Sequence, residues 1–136
     1  MKVPAVLFLC THNAGRSQMA MGFFRYHAGN KALALSGGSE PAEQLNPAAV
    51  AAMRERDIDI AGAQPQRWTP EALSAVDVVV TMGCGDACPL VPGKRYEEWE
   101  LRDPAGLAVA DVRAIRDEIE RRVLALLAEL AGEASE

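Results

Sequence analysis

No run of this sequence is long and apolar enough to cross a membrane, and no basic excess marks a nucleic-acid footprint. Lys and Arg are scattered among acidic residues, and the formal net charge is −5. Histidine is scarce: the chain has 2, without ligand spacing between them. Cysteine is scarce as well, and an odd count of 3 argues against a purely structural disulfide framework. Linkers, internal repeats and low-complexity segments are also lacking. The 136 residues, 49% of them hydrophobic, are therefore expected to form one domain with a core of its own. The apolar run behind Lys2 imitates an export signal, but it is barely of signal length, and Phe8-Leu9 before Cys10 are not small residues. A cytoplasmic protein is expected, and in that compartment cysteines tend to be catalytic, metal-binding or redox-active.

What is present alternates between strand and helix patterns. The apolar run 3–9 predicts a first strand, and residues 16–28, with Met19, Ala20, Phe23 and Phe24 near helical spacing ahead of Gly29-Asn30, predict a helix. His27 at its end is expected to face solvent. Residues 31–36 read as a weaker strand ending in Gly37-Gly38, glycines that mark a loop passing close to the site. Asn46-Pro47 and Thr69-Pro70 have cap and first-turn chemistry for helices over 48–56 and 70–75. The β-branched run 76–81 reads as a strand buried on both faces, and 95–99 as a short final strand. Residues 111–131 carry an apolar stripe including Val112, Ile115, Ile119, Val123 and Leu126, better explained by core packing than by self-association, so a monomer is expected. The pattern predicts an α/β fold: a doubly wound, four-stranded parallel sheet flanked by helices. Such sheets bind ligands at the carboxyl ends of their strands.

At that end of the first strand stands Cys10-Thr11-His12-Asn13-Ala14-Gly15-Arg16-Ser17. The amides of a loop between strand and helix can curl into a ring aimed at one point above the helix's positive end, which favours an oxyanion. Arg16 adds a planar fork of donors. Cys10, at the start of the ring, is expected to be largely thiolate at neutral pH, with Ser17 able to donate to its sulfur. Thr11, His12, Ala14 and Gly15 complete the expected anion-binding ring. Asn13 is expected to be a left-handed residue or a brace for neighbouring carbonyls, and His12 to line the outer rim without a proton-transfer role.

Two further features lie beyond the loop. Cys84 and Cys88 follow the buried strand in a C-x3-C arrangement. They read as two unremarkable loop thiols, as half a metal site lacking further ligands, or as redox partners of Cys10 at the same edge of the sheet; the last requires Cα atoms within about 7 Å. Asp103, before Pro104, is either a turn-forming Asp or a general acid hanging over the bound oxyanion.

Taken together, the segment from Cys10 to Ala20, Asp57-Ile58-Asp59-Ile60, Val79-Val80-Thr81-Met82 with Cys84 and Cys88, and Asp103-Pro104-Ala105-Gly106 resemble the thioredoxin-coupled arsenate reductases of the low-molecular-weight tyrosine phosphatase fold. The resemblance implies that Cys10 attacks arsenate held by the loop amides and Arg16, with phosphate or sulfate competing, while Asp103 protonates the departing oxygen. It also implies that Cys84 attacks the Cys10 sulfur and Cys88 then attacks Cys84, leaving a disulfide for thioredoxin to reduce. No bound cofactor or metal is implied, since Met21 stands where some members carry an acidic cation ligand. The C-x3-C spacing is shorter than in the best-known members. Related single-cysteine enzymes use a small thiol such as mycothiol. The rival functions are a phosphatase working through a phosphocysteine and a non-enzymatic oxyanion-responsive redox sensor. Against the first, Ala105 and Gly106 follow Asp103-Pro104 where phosphotyrosine enzymes generally carry aromatics.

Overall fold

The computed structural model describes residues 3–83 and 94–134. Their elements run β1 (Ala5–Cys10), α1 (Arg16–Ala28), β2 (Leu33–Gly38), α2 (Pro47–Arg54), α3 (Pro70–Ala75), β3 (Val78–Thr81), β4 (Arg95–Glu98) and α4 (Val109–Ala134). The strands form one parallel sheet in the order β2-β1-β3-β4, as the alternating pattern predicts.

The apolar continuity of β1 explains its central place. All six of its residues are buried, and they divide between two cores. Val6, Phe8 and Cys10 face the larger core with Phe23, Phe24, Met53, Ile119 and Val123 from α1, α2 and α4. Ala5, Leu7 and Leu9 face a smaller one with Leu73 of α3, Val76 and Val79. Phe8 meets the Phe24 ring edge-on at 5.7 Å between centroids. Each such enclosed aromatic contributes about 1.5–3 kcal/mol of apolar burial. The stripe of α4 is spent on this core, with Val112, Ile119, Val123 and Leu126 nearly inaccessible.

One detail differs from expectation. Gly37 and Gly38 belong to β2, with Gly38 registered against Cys10, and do not form a loop. They are glycines because a Cβ at 37 would lie 2.9 Å from the Trp68 backbone and one at 38 would lie 2.7 Å from the Thr11 carbonyl oxygen. His27 is exposed, as expected at the end of α1, and it is also tethered: its Nε2 lies 2.8 Å from Glu120 Oε2 on α4, and its ring stacks on Phe23.

Polar contacts fasten α4 to α2. Arg113 grips Glu55 bidentately through Nε and Nη2, while Arg116 donates through Nη1 to Glu55 Oε1 and to the carbonyl of Ala52, an orphan acceptor at the end of α2. The hydrogen bond from Arg113 is the main cause that holds the Glu55 carboxyl down at about 2; burial opposes it, and Arg116 adds to it. A carboxyl lowered in the folded state contributes stability above its ordinary value of 4.5 that is lost as pH falls toward about 2. Thermal melts across that window should therefore show a shallower loss of Tm in Glu55→Gln than in the wild-type protein; parallel curves would contradict the linkage.

Among the described residues, no helix is long and apolar enough to cross a membrane.

Candidate active site

The loop from Cys10 to Arg16 sits where β1 ends between β2 and β3, and its curl can be traced through its carbonyl groups. Cys10 O accepts from Ser39 N (3.3 Å), Thr11 O from Glu40 N (2.8 Å), His12 O from Ala42 N (3.0 Å), Ala14 O from Asn46 N (2.9 Å) and Gly15 O from Met19 N (2.9 Å). Asn13 O accepts from Gln18 Nε2 at 3.1 Å. Every carbonyl from residue 10 to residue 15 is thus drawn outward into the fold. The amides of residues 11–16, by contrast, donate no hydrogen bond to another described residue. Because a trans peptide holds N–H opposite C=O, these amides face away from the carbonyl partners, toward the space beside Cys10. Gly15 caps α1 without a side-chain hydrogen bond, so the helix's positive end is open on the same side.

The sulfur is built in from behind. Cys10 is 2% exposed, and its Sγ lies 2.9 Å from Ser17 Oγ. Asn13 Nδ2 donates to that same oxygen at 2.7 Å, so the Ser17 hydroxyl hydrogen is free to point at sulfur. Asn13 takes φ 51, the left-handed region that its short polar side chain tolerates. It is the left-handed residue that its position suggested, while its side chain braces the Ser17 hydroxyl and receives the Gln66 amide instead of holding neighbouring carbonyls.

Arg16 is buried, with Nη1 donating to Leu101 O at 3.3 Å and Nη2 lying 3.7 Å from Asp103 Oδ2. Asp103 is half-exposed, and its Oδ1 accepts from Ala105 N at 3.0 Å. It therefore forms the turn and also reaches the site. Cys10, His12, Arg16 and Asp103 line one cavity of about 40 Å³, room for a small anion. His12 is exposed on its rim, with Nδ1 held at 3.1 Å by Glu40 O. Thr11 turns aside and donates through Oγ1 to the carbonyl of Gly83 at 3.2 Å. Cys84 and Cys88 lie outside the described residues.

A profile of low molecular weight phosphotyrosine protein phosphatases matches residues 5–136. The chain belongs to the low molecular weight phosphotyrosine protein phosphatase family. An arsenate reductase of Bacillus licheniformis is 39% identical to it over 133 residues, covering 90% of this chain and 94% of that protein. A Corynebacterium glutamicum thioredoxin-dependent arsenate reductase superposes with a TM-score of 0.82 at 38% identity. All of this chain is covered in that match, and it spans 64% of the C. glutamicum chain. An arsenate reductase solved in a phosphate-binding state gives a TM-score of 0.82 at 32% identity, covering 94% of this chain and 99% of that one. The resemblance read from the motifs is borne out by these relatives.

Several supports of this phosphatase-family site are not evident in the sequence. Asn46, readable as the cap of α2 through its contacts with Ala48 N and Ala49 N, also ties down the Ala14 carbonyl with its own N–H. Residues 61–68, irregular in the sequence, brace the loop from outside: Gln66 N donates to Asn13 Oδ1 at 2.9 Å, and Gln66 O receives Gly38 N at 2.9 Å. Gly83 adopts φ +87, and a Cβ there would collide with Arg16 Nη1. Asn46 carried the signal of a helix cap and Gly83, two residues after β3, that of a turn, but neither signal named its neighbour at the site.

Proposed function

We propose that this protein reduces arsenate to arsenite by a thiol relay begun at Cys10 and regenerated by thioredoxin. The observation that carries the reading is the ring itself: beside one buried sulfur stand a guanidinium, six outward carbonyls and six amides that donate to no other described residue. Arsenate, a tetrahedral anion, would sit on the amides and Arg16 with arsenic in line with Cys10 Sγ. The thiolate forms an S–As bond, and Asp103, in the same cavity, gives a proton to the oxygen that leaves as water.

Cys84 then attacks the Cys10 sulfur. The S–As bond breaks toward arsenic, which takes the electron pair and departs as arsenite, leaving a Cys10–Cys84 disulfide. Cys88 attacks Cys84 in turn, Cys10 leaves as thiolate, and the Cys84–Cys88 disulfide is handed to thioredoxin. Thiols carry the electrons throughout, so no bound cofactor or metal enters the scheme. The chain order supports this route, because Cys84 is the next residue after Gly83, whose carbonyl is tied to Thr11 of the ring. All three cysteines being present favours thioredoxin over a small thiol such as mycothiol. The proposal includes a cytoplasmic monomer, and the stripe of α4, spent on its own core, supports the monomer part.

The family match favours a second reading, hydrolysis of phosphate esters through a phosphocysteine at the same sulfur. Arsenate-dependent NADPH oxidation with thioredoxin and thioredoxin reductase separates the two. The relay reading expects steady turnover. It also expects Cys84→Ser to release at most one equivalent of arsenite per chain while hydrolysing p-nitrophenyl phosphate as the wild type does. Phosphatase activity without arsenate-dependent oxidation of NADPH would leave the hydrolase, and loss of both activities a redox sensor.

A further inference from the structure

Gln18 takes no part in the relay, yet it is only 1% exposed. Its Nε2 faces three oxygens at once: Asn13 O at 3.1 Å, Asn13 Oδ1 at 3.1 Å and Gln64 O at 3.3 Å. Turning the amide over would set Oε1 against those same acceptors, so they fix its orientation. In that orientation Oε1 is buried without a hydrogen-bond partner among the described residues. A buried acceptor left unpaired is destabilising, so the useful half of this side chain is its donor.

The donor's effect can be followed outward. Asn13 Oδ1 is held from two sides, by Gln18 Nε2 and by Gln66 N at 2.9 Å. With that oxygen fixed, Asn13 Nδ2 is left with one direction, toward Ser17 Oγ at 2.7 Å. Ser17, having accepted there, gives its own hydrogen to Cys10 Sγ at 2.9 Å. We propose that Gln18 is the positioning residue of the nucleophile, clamping Asn13 between α1 and the 64–66 segment so that the Ser17 hydroxyl stays aimed at the sulfur. The inference rests on Cys10 being the nucleophile, and it holds whether or not arsenate is the substrate.

Iodoacetamide alkylation of Cys10, followed by mass spectrometry on the peptide that contains it, reads the sulfur without turnover and without interference from Cys84 or Cys88. Gln18→Met keeps the length and removes the donor. The pH of half-maximal alkylation is then expected to rise by about one unit, so that below the midpoint the rate falls about tenfold. Gln18→Glu restores a donor only while its carboxyl is protonated. The groups against it are neutral oxygens, Asn13 O, Asn13 Oδ1 and Gln64 O, with Cys10, His12 and Arg16 the ionisable groups of the loop itself. Its alkylation rate should approach wild type near about pH 5 and fall to the Gln18→Met rate near about pH 8.

A wild-type profile in Gln18→Met overturns the proposal, as does an equal slowing of both variants at every pH, the mark of a merely structural loss. Should Gln18→Met fail to fold, a Gln18→Glu rate in constant ratio to wild type across pH overturns it as well. Failure of arsenate turnover in the wild-type protein, with the alkylation results intact, would overturn the substrate reading and leave this one standing.

Discussion

A Cys10→Ser protein is expected to lose arsenate reduction by at least about 10⁴-fold while still binding phosphate, the scale of loss when a nucleophile is taken from a site that keeps its other groups. The reason is chemical more than geometric. Serine fits the place of a 2%-exposed thiol and can keep a hydrogen bond to Ser17, but a hydroxyl is not ionised at neutral pH and has no disulfide chemistry. The amides of residues 11–16 and Arg16 are untouched by the change, so phosphate should bind with an affinity within a few-fold of wild type in a calorimetric titration. Residual turnover within about a hundredfold of wild type would mean that another thiol starts the reaction.

Arg16→Lys is expected to lower kcat/KM for arsenate by about 10² to 10³, the range for removing one preorganised donor from an oxyanion site. Net charge does not change. What is lost is the fork: Nη1 on Leu101 O at 3.3 Å and Nη2 at 3.7 Å from Asp103 orient a planar guanidinium over the cavity, and an ammonium on a flexible stem cannot take both positions at once. Gly83→Ala should act in the same direction from outside, because its Cβ would collide with Nη1 and because φ +87 disfavours any side chain. If steady-state kinetics gave Arg16→Lys within threefold of wild type, charge alone would suffice and the planar clamp would play no part.

How much of this the chain announces depends on the range of the interaction. Element order, parallel pairing and the start of α1 follow from local signals: the unbroken apolar run of β1, Gly29 beyond α1, and Pro after Asn46 and Thr69. The ring around Cys10 is equally local, since its spacing lies within one strand–loop–helix turn. Gly37-Gly38 are legible as the end of a strand, but not that close approach of the Thr11 and Trp68 backbones requires glycine there. His27 is exposed as its place suggests, but its partner, Glu120, 93 residues away, leaves no local trace. Gln66, Leu101 and Gly83 act on the site through backbone atoms or the lack of a side chain, and a residue name carries no trace of that.

The relay itself is tested most directly by trapping thiols after a single turnover. The reduced protein is mixed with one equivalent of arsenate, quenched with an alkylating agent at successive times, digested without reductant and mapped. A Cys10–Cys84 disulfide should form as arsenite appears and then give way to Cys84–Cys88, with Cys84→Ser showing neither. Arsenite released while Cys10 remains alkylatable throughout, or a protein with all three thiols free after turnover, would contradict the relay.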